Sequence, residues 1–147
     1  MTKVGILAGG GQLPLTIGKS LISSKYEVNF FCIERFCDLK LYQNYVHTTI
    51  SINSLSHIIQ ILNSYKIEKI IMAGHVTRPS IKDINFDLNT LKLIKIFALD
   101  SQGDDKLLSS ISIFFENNGF PILDWKKECK DLFINEKYLT VIKPSKY

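Results

Sequence analysis

The feature that most constrains this chain is a short apolar run, Val4 to Ala8, that ends on three consecutive glycines with helical spacing starting directly behind them. A run this short and apolar has the length of a buried strand rather than a helix. Glycines let the backbone turn sharply and come close to a ligand. Behind them Leu13, Ile17 and Leu21 recur at helical spacing, and Pro14 suits a first helical turn. A strand, a tight loop and a helix at the start of a chain call for a second parallel strand to complete a right-handed crossover.

The sequence supplies that strand and more. Val28 to Ile33 reads as a second strand and Val46 to Ser51 as a weaker third. Ser54 can cap a helix whose apolar face is Leu55, Ile58, Ile59 and Leu62. Lys69 to Ala73 is a fourth strand, nearly all apolar, as in a sheet covered on both faces. Further helices are predicted over Asp87 to Ala98 and Asp104 to Asn118. In the second, Leu107, Leu108, Ile111, Phe114 and Phe115 face inward, and Gly119 is the C-cap. Phe120 to Leu123 is a fifth strand and Tyr138 to Ile142 a last one. There is no internal repeat and no low-complexity stretch. The alternation predicts an α/β fold: a Rossmann-like, mostly parallel sheet with helices on both faces. A chain of 147 residues suits one domain with a sizeable core, and 46% hydrophobic against 22% charged residues suits a globule.

Several function classes drop out. The net charge of +4 is mild, and no run of Lys and Arg makes a nucleic-acid stripe. Cys32, Cys37 and Cys129 are odd in number and form no CxxC pair, so neither a disulfide framework nor a zinc site is indicated. A reducing cytoplasm is the simpler home. No basic segment followed by a long apolar one precedes Val4, so no signal peptide is expected. No apolar run reaches the roughly 18 residues of a membrane span. Among the 18 cations only Arg35 and Arg78 are arginines, which hints that a forked guanidinium is needed where they stand.

Ligands of open α/β sheets bind outside the carboxyl ends of the strands. Three loops are expected there. The first is Ala8 to Pro14. It nearly fits GxGxxG, which would need glycine at Pro14, and nearly fits the P-loop, which would need glycine at Leu13; moreover, Gly18 of that second match falls inside the helix. Glycines before a helix start still suit a diphosphate, because free N–H groups and the dipole face it; a tight structural turn is the competing reading. The second loop, Gly74 to Pro79, offers His75, Thr77 and Arg78 to a phosphate, carboxylate or sugar. Its bland alternative is a cap at Thr77 and a structural ion pair at Arg78. The third, Gln102 to Asp105, opens a helix with Gly103, Asp104 and Asp105, which can touch sugar hydroxyls or a metal but are also ordinary helix-start residues. Glu34, near the end of the second strand, can imitate the acid that holds a nucleotide ribose, although acids are common at strand ends. His47 and His57 lack partners at ligand spacing and read as surface residues.

Taken together, the opening VGILAGGGQLP, the central MAGHVTRP and QGDDKLLSSISIFFENNGF resemble the amino-terminal domain of the LpxI-type UDP-2,3-diacylglucosamine pyrophosphatases. The resemblance runs from Val4 to about Leu123. It implies a cytoplasmic hydrolase of lipid A biosynthesis that splits UDP-2,3-diacylglucosamine into UMP and 2,3-diacylglucosamine 1-phosphate, with water attacking the α-phosphorus and Mg²⁺ required. The working place would be the cytoplasmic face of the inner membrane, touched peripherally. The substrate contacts it implies are Gly10, Gly11, Gln12, Leu13, His75, Val76, Thr77, Arg78, Gly103 and Asp104. It implies no catalytic residue here, because the family's essential aspartate lies in a second domain, which would also hold the metal. Residues 1–124 are expected to form the Rossmann-like domain and 125–147 a tail or the start of a linker. That tail carries Trp125, Leu132, Phe133, Tyr138, Leu139, Val141 and Ile142, an apolar surface suited to a separate carboxyl-terminal half or to self-association. A split-gene product, a decayed gene and a fragment all fit, and so does a stand-alone UDP-sugar-binding module without catalysis.

Overall fold

The computed structural model describes residues 1–52, 54–75, 88 and 104–130, and of 104–110 the backbone alone. Its centre is a four-stranded sheet of β1 (Lys3–Ala8), β2 (Glu27–Ile33), β3 (His47–Ile50) and β4 (Lys69–Ala73). All pairings are parallel, in the order β3-β2-β1-β4. The chain moves outward from β1 to β2 to β3, then crosses back over the sheet to place β4 on the far side of β1. Because right-handed crossovers in opposite directions put their helices on opposite faces, this order alone covers the sheet on both sides.

The burial pattern agrees. Val4, Ile6 and Ala8 of β1 and Val28, Phe30 and Cys32 of β2 join Leu15, Ile17 and Leu21 of α1 (Leu13–Ser23) in one core. The intervening Leu7, Phe31 and Ile33 join Leu55, Ile58 and Leu62 of α2 (Leu55–Ser64) in the other. The period of two in the strands thus feeds two separate cores. Ser54 caps α2 as expected, its Oγ accepting from the His57 N–H at 3.2 Å. α3 (Asp104–Asn117) packs Phe115 into the second core with Ile111 and Phe114 against it. It ends at Gly119, φ +91°, where the Phe120 N–H reaches back to the Phe115 carbonyl at 2.9 Å.

Three details depart from the sequence reading. The segment expected as a fifth strand makes a single parallel bridge, Ile122 to Ile70, on the free side of β4. A short 3₁₀ helix, Leu39–Tyr42, follows β2 and buries Tyr42 against Phe30, ring centroids 4.8 Å apart. Its four residues are too few to leave a period in the sequence. A short helix α4 (Trp125–Glu128) is capped by Asp124 and lays Trp125 on the first core. Cys129 behind it is fully buried, and the Tyr26 hydroxyl donates to the Glu128 carboxylate. The helix predicted over Asp87 to Ala98, the last strand and the other apolar tail residues, Leu132 to Ile142, lie outside the described residues. No helix among the described residues is long and apolar enough to cross a membrane.

Candidate functional site

The sheet order puts its switch point between β1 and β4, the crevice where open α/β sheets hold their ligands. β1 and β4 end level, with Ala8 opposite Ala73, and the loops leaving them interlock. The Gly9 N–H donates to the Ala73 carbonyl at 2.9 Å. Gly10 and His75 then form an antiparallel bridge, with Gly10 N–H to His75 O at 2.8 Å and His75 N–H to Gly10 O at 2.9 Å.

This close approach demands glycine on both sides. At Gly74, φ +96°, a Cβ would lie 2.8 Å from both the nitrogen and the carbonyl carbon of Gly9. At Gly10 a Cβ would meet the Phe36 carbonyl oxygen at 2.9 Å. Gly11, φ +87°, has open space around its Cβ position, so its glycine answers to conformation alone. Gly11, Gln12, Gly74 and His75 are exposed, and Gly10 and Leu13 partly so.

α1 begins here without a capping side chain. Gln12 is the cap residue, it makes no side-chain capping bond, and Pro14 stands in the first turn. The first bond of the helix runs from the Thr16 N–H to the Gln12 carbonyl at 3.0 Å. The amides before it lie at the positive end of the helix dipole, at an exposed edge, which is suitable chemistry for a phosphate.

Of the ten substrate-contact residues expected from the sequence, Gly10, Gly11, Gln12, Leu13 and His75 come together at this edge. Asp104 opens α3. That helix leads through Gly119 into the segment that runs parallel to β4, so its start faces the carboxyl side of the sheet. Its side chain, like Val76, Thr77, Arg78 and Gly103, lies outside the described residues. Gly18, once a P-loop near-match, is a packing residue: a Cβ there would come within 2.2 Å of Phe30 Cζ. His47 and His57 are exposed, His47 Nδ1 resting 2.9 Å from the Tyr45 carbonyl.

The sequence reading did not find the cavity beside the glycine loop. It measures ≈ 390 Å³ and sits at the ends of β2 and β3, lined by Cys32, Glu34, Arg35, Cys37, Leu39 and Thr49 among others. Cys32 is the β2 partner of Ala8, so the cavity floor is one strand away from the glycines. Burial pushes the Cys32 thiol up to about 12 and raises that of Cys37. Both therefore stay protonated at neutral pH, which makes them poor nucleophiles. Two signals in the sequence pointed here: Arg35, through the scarcity of arginine, and Glu34, as an acid near the end of the second strand.

Among the described residues no group of three or more His, Cys, Asp and Glu side chains converges to hold a metal ion.

A model of the LpxI N-terminal domain matches residues 3–132. The chain belongs to the LpxI family. The match starts with β1 and ends just beyond Cys129, so it takes in every element described above. The UDP-2,3-diacylglucosamine pyrophosphatase LpxI of Caulobacter vibrioides is 28% identical over 123 residues, which is 83% of this chain and 44% of that protein. The chain thus spans less than half the length of that LpxI relative.

Proposed function

We propose that this LpxI-family chain is the substrate-binding half of a UDP-2,3-diacylglucosamine pyrophosphatase of lipid A biosynthesis. The glycine loop holds the diphosphate, with Gly10, Gly11, Gln12 and Leu13 presenting backbone N–H groups. His75, Val76, Thr77 and Arg78 of the second loop, with Gly103 and Asp104 of the third, supply the remaining substrate contacts. The observation that carries this reading is the Gly10–His75 bridge, which joins two of the three family-like loops at the switch point of the sheet. Hydrolysis to UMP and 2,3-diacylglucosamine 1-phosphate, and the Mg²⁺ it uses, would depend on the part of the longer relative that this chain does not match. The protein works in the cytoplasm, against the inner-membrane face where an acylated substrate resides.

The test is a calorimetric titration of UDP into the chain and into Arg78→Ala, with melting curves for both. A charge-assisted phosphate contact is worth about 1.5–3 kcal/mol, roughly ten- to a hundredfold in affinity. An exposed structural ion pair would contribute about 1 kcal/mol or less, to stability alone. Weaker binding at an unchanged melting temperature supports the assignment; unchanged binding with a lower melting temperature removes Arg78 from the site. Incubation with UDP-2,3-diacylglucosamine and Mg²⁺ should release no UMP at a useful rate. Robust release would show that this chain contains the catalytic centre.

A further inference from the structure

Cys32 and Cys37 stand five positions apart, and the fold brings their side chains together. Cys32 is the last residue but one of β2, on the face that carries Val28 and Phe30 into the first core. The chain then reverses. Arg35 takes φ +75°, and the Phe36 and Cys37 N–H groups both donate to Ile33 O, at 3.2 and 3.0 Å. Cys37 thereby returns to the strand end, where its thiol lies beside that of Cys32. Both line the ≈ 390 Å³ cavity, Cys32 fully buried and Cys37 half-buried.

A third group closes the cluster. Asp38 caps the 3₁₀ helix, accepting from the Lys40 N–H at 3.1 Å, and that helix seats the Tyr42 ring on Phe30, which shares its strand face with Cys32. The Tyr42 hydroxyl is buried, makes no hydrogen bond of good geometry, and lies beside the Cys37 thiol. A thiol sulfur is a weak acceptor, so this hydroxyl carries a desolvation cost that phenylalanine would avoid. A charged sulfur is a strong acceptor. Two cysteines that merely filled the core would need no hydroxyl here; a Cys37 sulfur that takes up negative charge would. Burial keeps both thiols protonated when they are alone, so the charge has to arrive with a cation that displaces the protons.

We propose that Cys32 and Cys37 form a two-coordinate site for a soft monovalent cation of the Cu(I) class, with the Tyr42 hydroxyl donating to the metal-bound Cys37 sulfur. Thiolate ligands select Cu(I) by their softness. Two sulfurs suffice for that ion in linear geometry. Structural zinc takes four ligands, and among the described residues no third His, Cys, Asp or Glu completes a set with the pair. On binding, two S–H bonds break, two sulfur–copper bonds form and two protons leave. The buried unit then carries one net negative charge, where a bare dithiolate would carry two. The Tyr42 hydroxyl and Arg35, which lines the same cavity, offset that charge. The cavity is the way in, and half-buried Cys37 is the sulfur an entering ion meets first. The site stands independently of the diphosphate reading of the glycine loop.

The experiment titrates the reduced full chain, free of oxygen, against Cu(I) held by the coloured chelator bicinchoninate. One ion per chain should leave the chelator, and the apparent affinity should fall about a hundredfold for each pH unit between pH 8 and pH 7, because two protons are displaced. Cys37→Ser should abolish the uptake, Cys129→Ser should leave it unchanged, and Tyr42→Phe should weaken it about tenfold, as the loss of a group that supports a metal ligand does. The pH arm needs no variant, so the test stands even if a cysteine variant folds poorly. No uptake by wild type, uptake retained in Cys37→Ser, or a fall of only about tenfold per pH unit, as for a single thiol, overturns the paired site. One ion per two chains overturns it as well, since the sulfurs would then come from different molecules. Equal affinity in Tyr42→Phe overturns the role given to the hydroxyl.

Discussion

His75 returns to Gly10 both of the backbone hydrogen bonds that an antiparallel pair can share, at 2.8 and 2.9 Å, although the two residues belong to loops from different strands. The glycine loop is thereby fixed from two sides, by α1 behind it and by the β4 loop in front. A loop fixed before binding loses little entropy when a ligand settles on it.

That fixation depends on Gly74. A Cβ at this position meets the Gly9 backbone at 2.8 Å in a residue already at φ +96°. Gly74→Ala is expected to cost about 1–3 kcal/mol of stability from backbone strain and overpacking. Affinity for UDP should fall with it, because the Gly10–His75 bridge would have to open. Urea denaturation paired with calorimetry checks both; a loss under about 0.5 kcal/mol would mean that the two loops can separate freely.

Gly18→Ala sets two effects against each other. Alanine in a helix interior gains about 1 kcal/mol over glycine. The added methyl would stand 2.2 Å from Phe30 Cζ and 2.6 Å from Cε1 in the fully buried first core. Overpacking of that kind costs about 1–3 kcal/mol, so net destabilisation is expected. Combining it with Phe30→Leu should recover part of the loss, and a double-mutant cycle in chemical denaturation reads the coupling.

Tyr42→Phe should leave the protein as stable or make it more so, by up to about 1 kcal/mol. The Tyr42 hydroxyl is buried with only the Cys37 thiol, a weak partner outside good hydrogen-bond geometry, beside it, while its ring packs on Phe30. Removing a buried, poorly satisfied polar atom and keeping the ring relieves a desolvation cost. A clear drop in the denaturation midpoint would show that the hydroxyl has a strong partner after all.

Alkaline pH should weaken the fold through the same cluster. Burial raises Cys32 from 9.0 to about 12 and raises Tyr42 as well. The unfolded chain therefore releases these protons first, and it binds fewer than the native state between about pH 9 and 12. Stability is fully present below pH 9 and falls as the pH rises through that window, by at most about 1.4 kcal/mol per pH unit for each group. Melting curves at pH 8, 10 and 11 test this, and Cys32→Ala should flatten the decline. Under native conditions at pH 8, Cys32 and Cys129 should resist a thiol reagent that labels them promptly after unfolding.

The candidate site was legible in the sequence only in part. Gly10 and Gly11 were visible because a strand running straight into glycines and then a helix is a local pattern. His75 was placed with them by the rule that loops at the carboxyl ends of parallel strands meet, not by any residue-level signal. The cavity at Glu34, Arg35, Leu39 and Thr49 draws on two strand ends and a 3₁₀ turn, each too short to leave a period.

The sequence by itself determined the elements and their order. Residues that alternate or recur within one strand or helix bury themselves by local geometry, so Val4 to Ala8, Leu55 to Leu62 and Lys69 to Ala73 could be read directly. Only the tertiary structure decided which distant residues meet: Gly10 with His75, Gly18 with Phe30, Tyr42 with the thiols of Cys32 and Cys37, and the Gly119 segment with β4 as one bridge rather than a strand. Those contacts follow from sheet register and from how each helix seats on its face. Both are set by packing between segments far apart in the chain, which no window along the sequence contains.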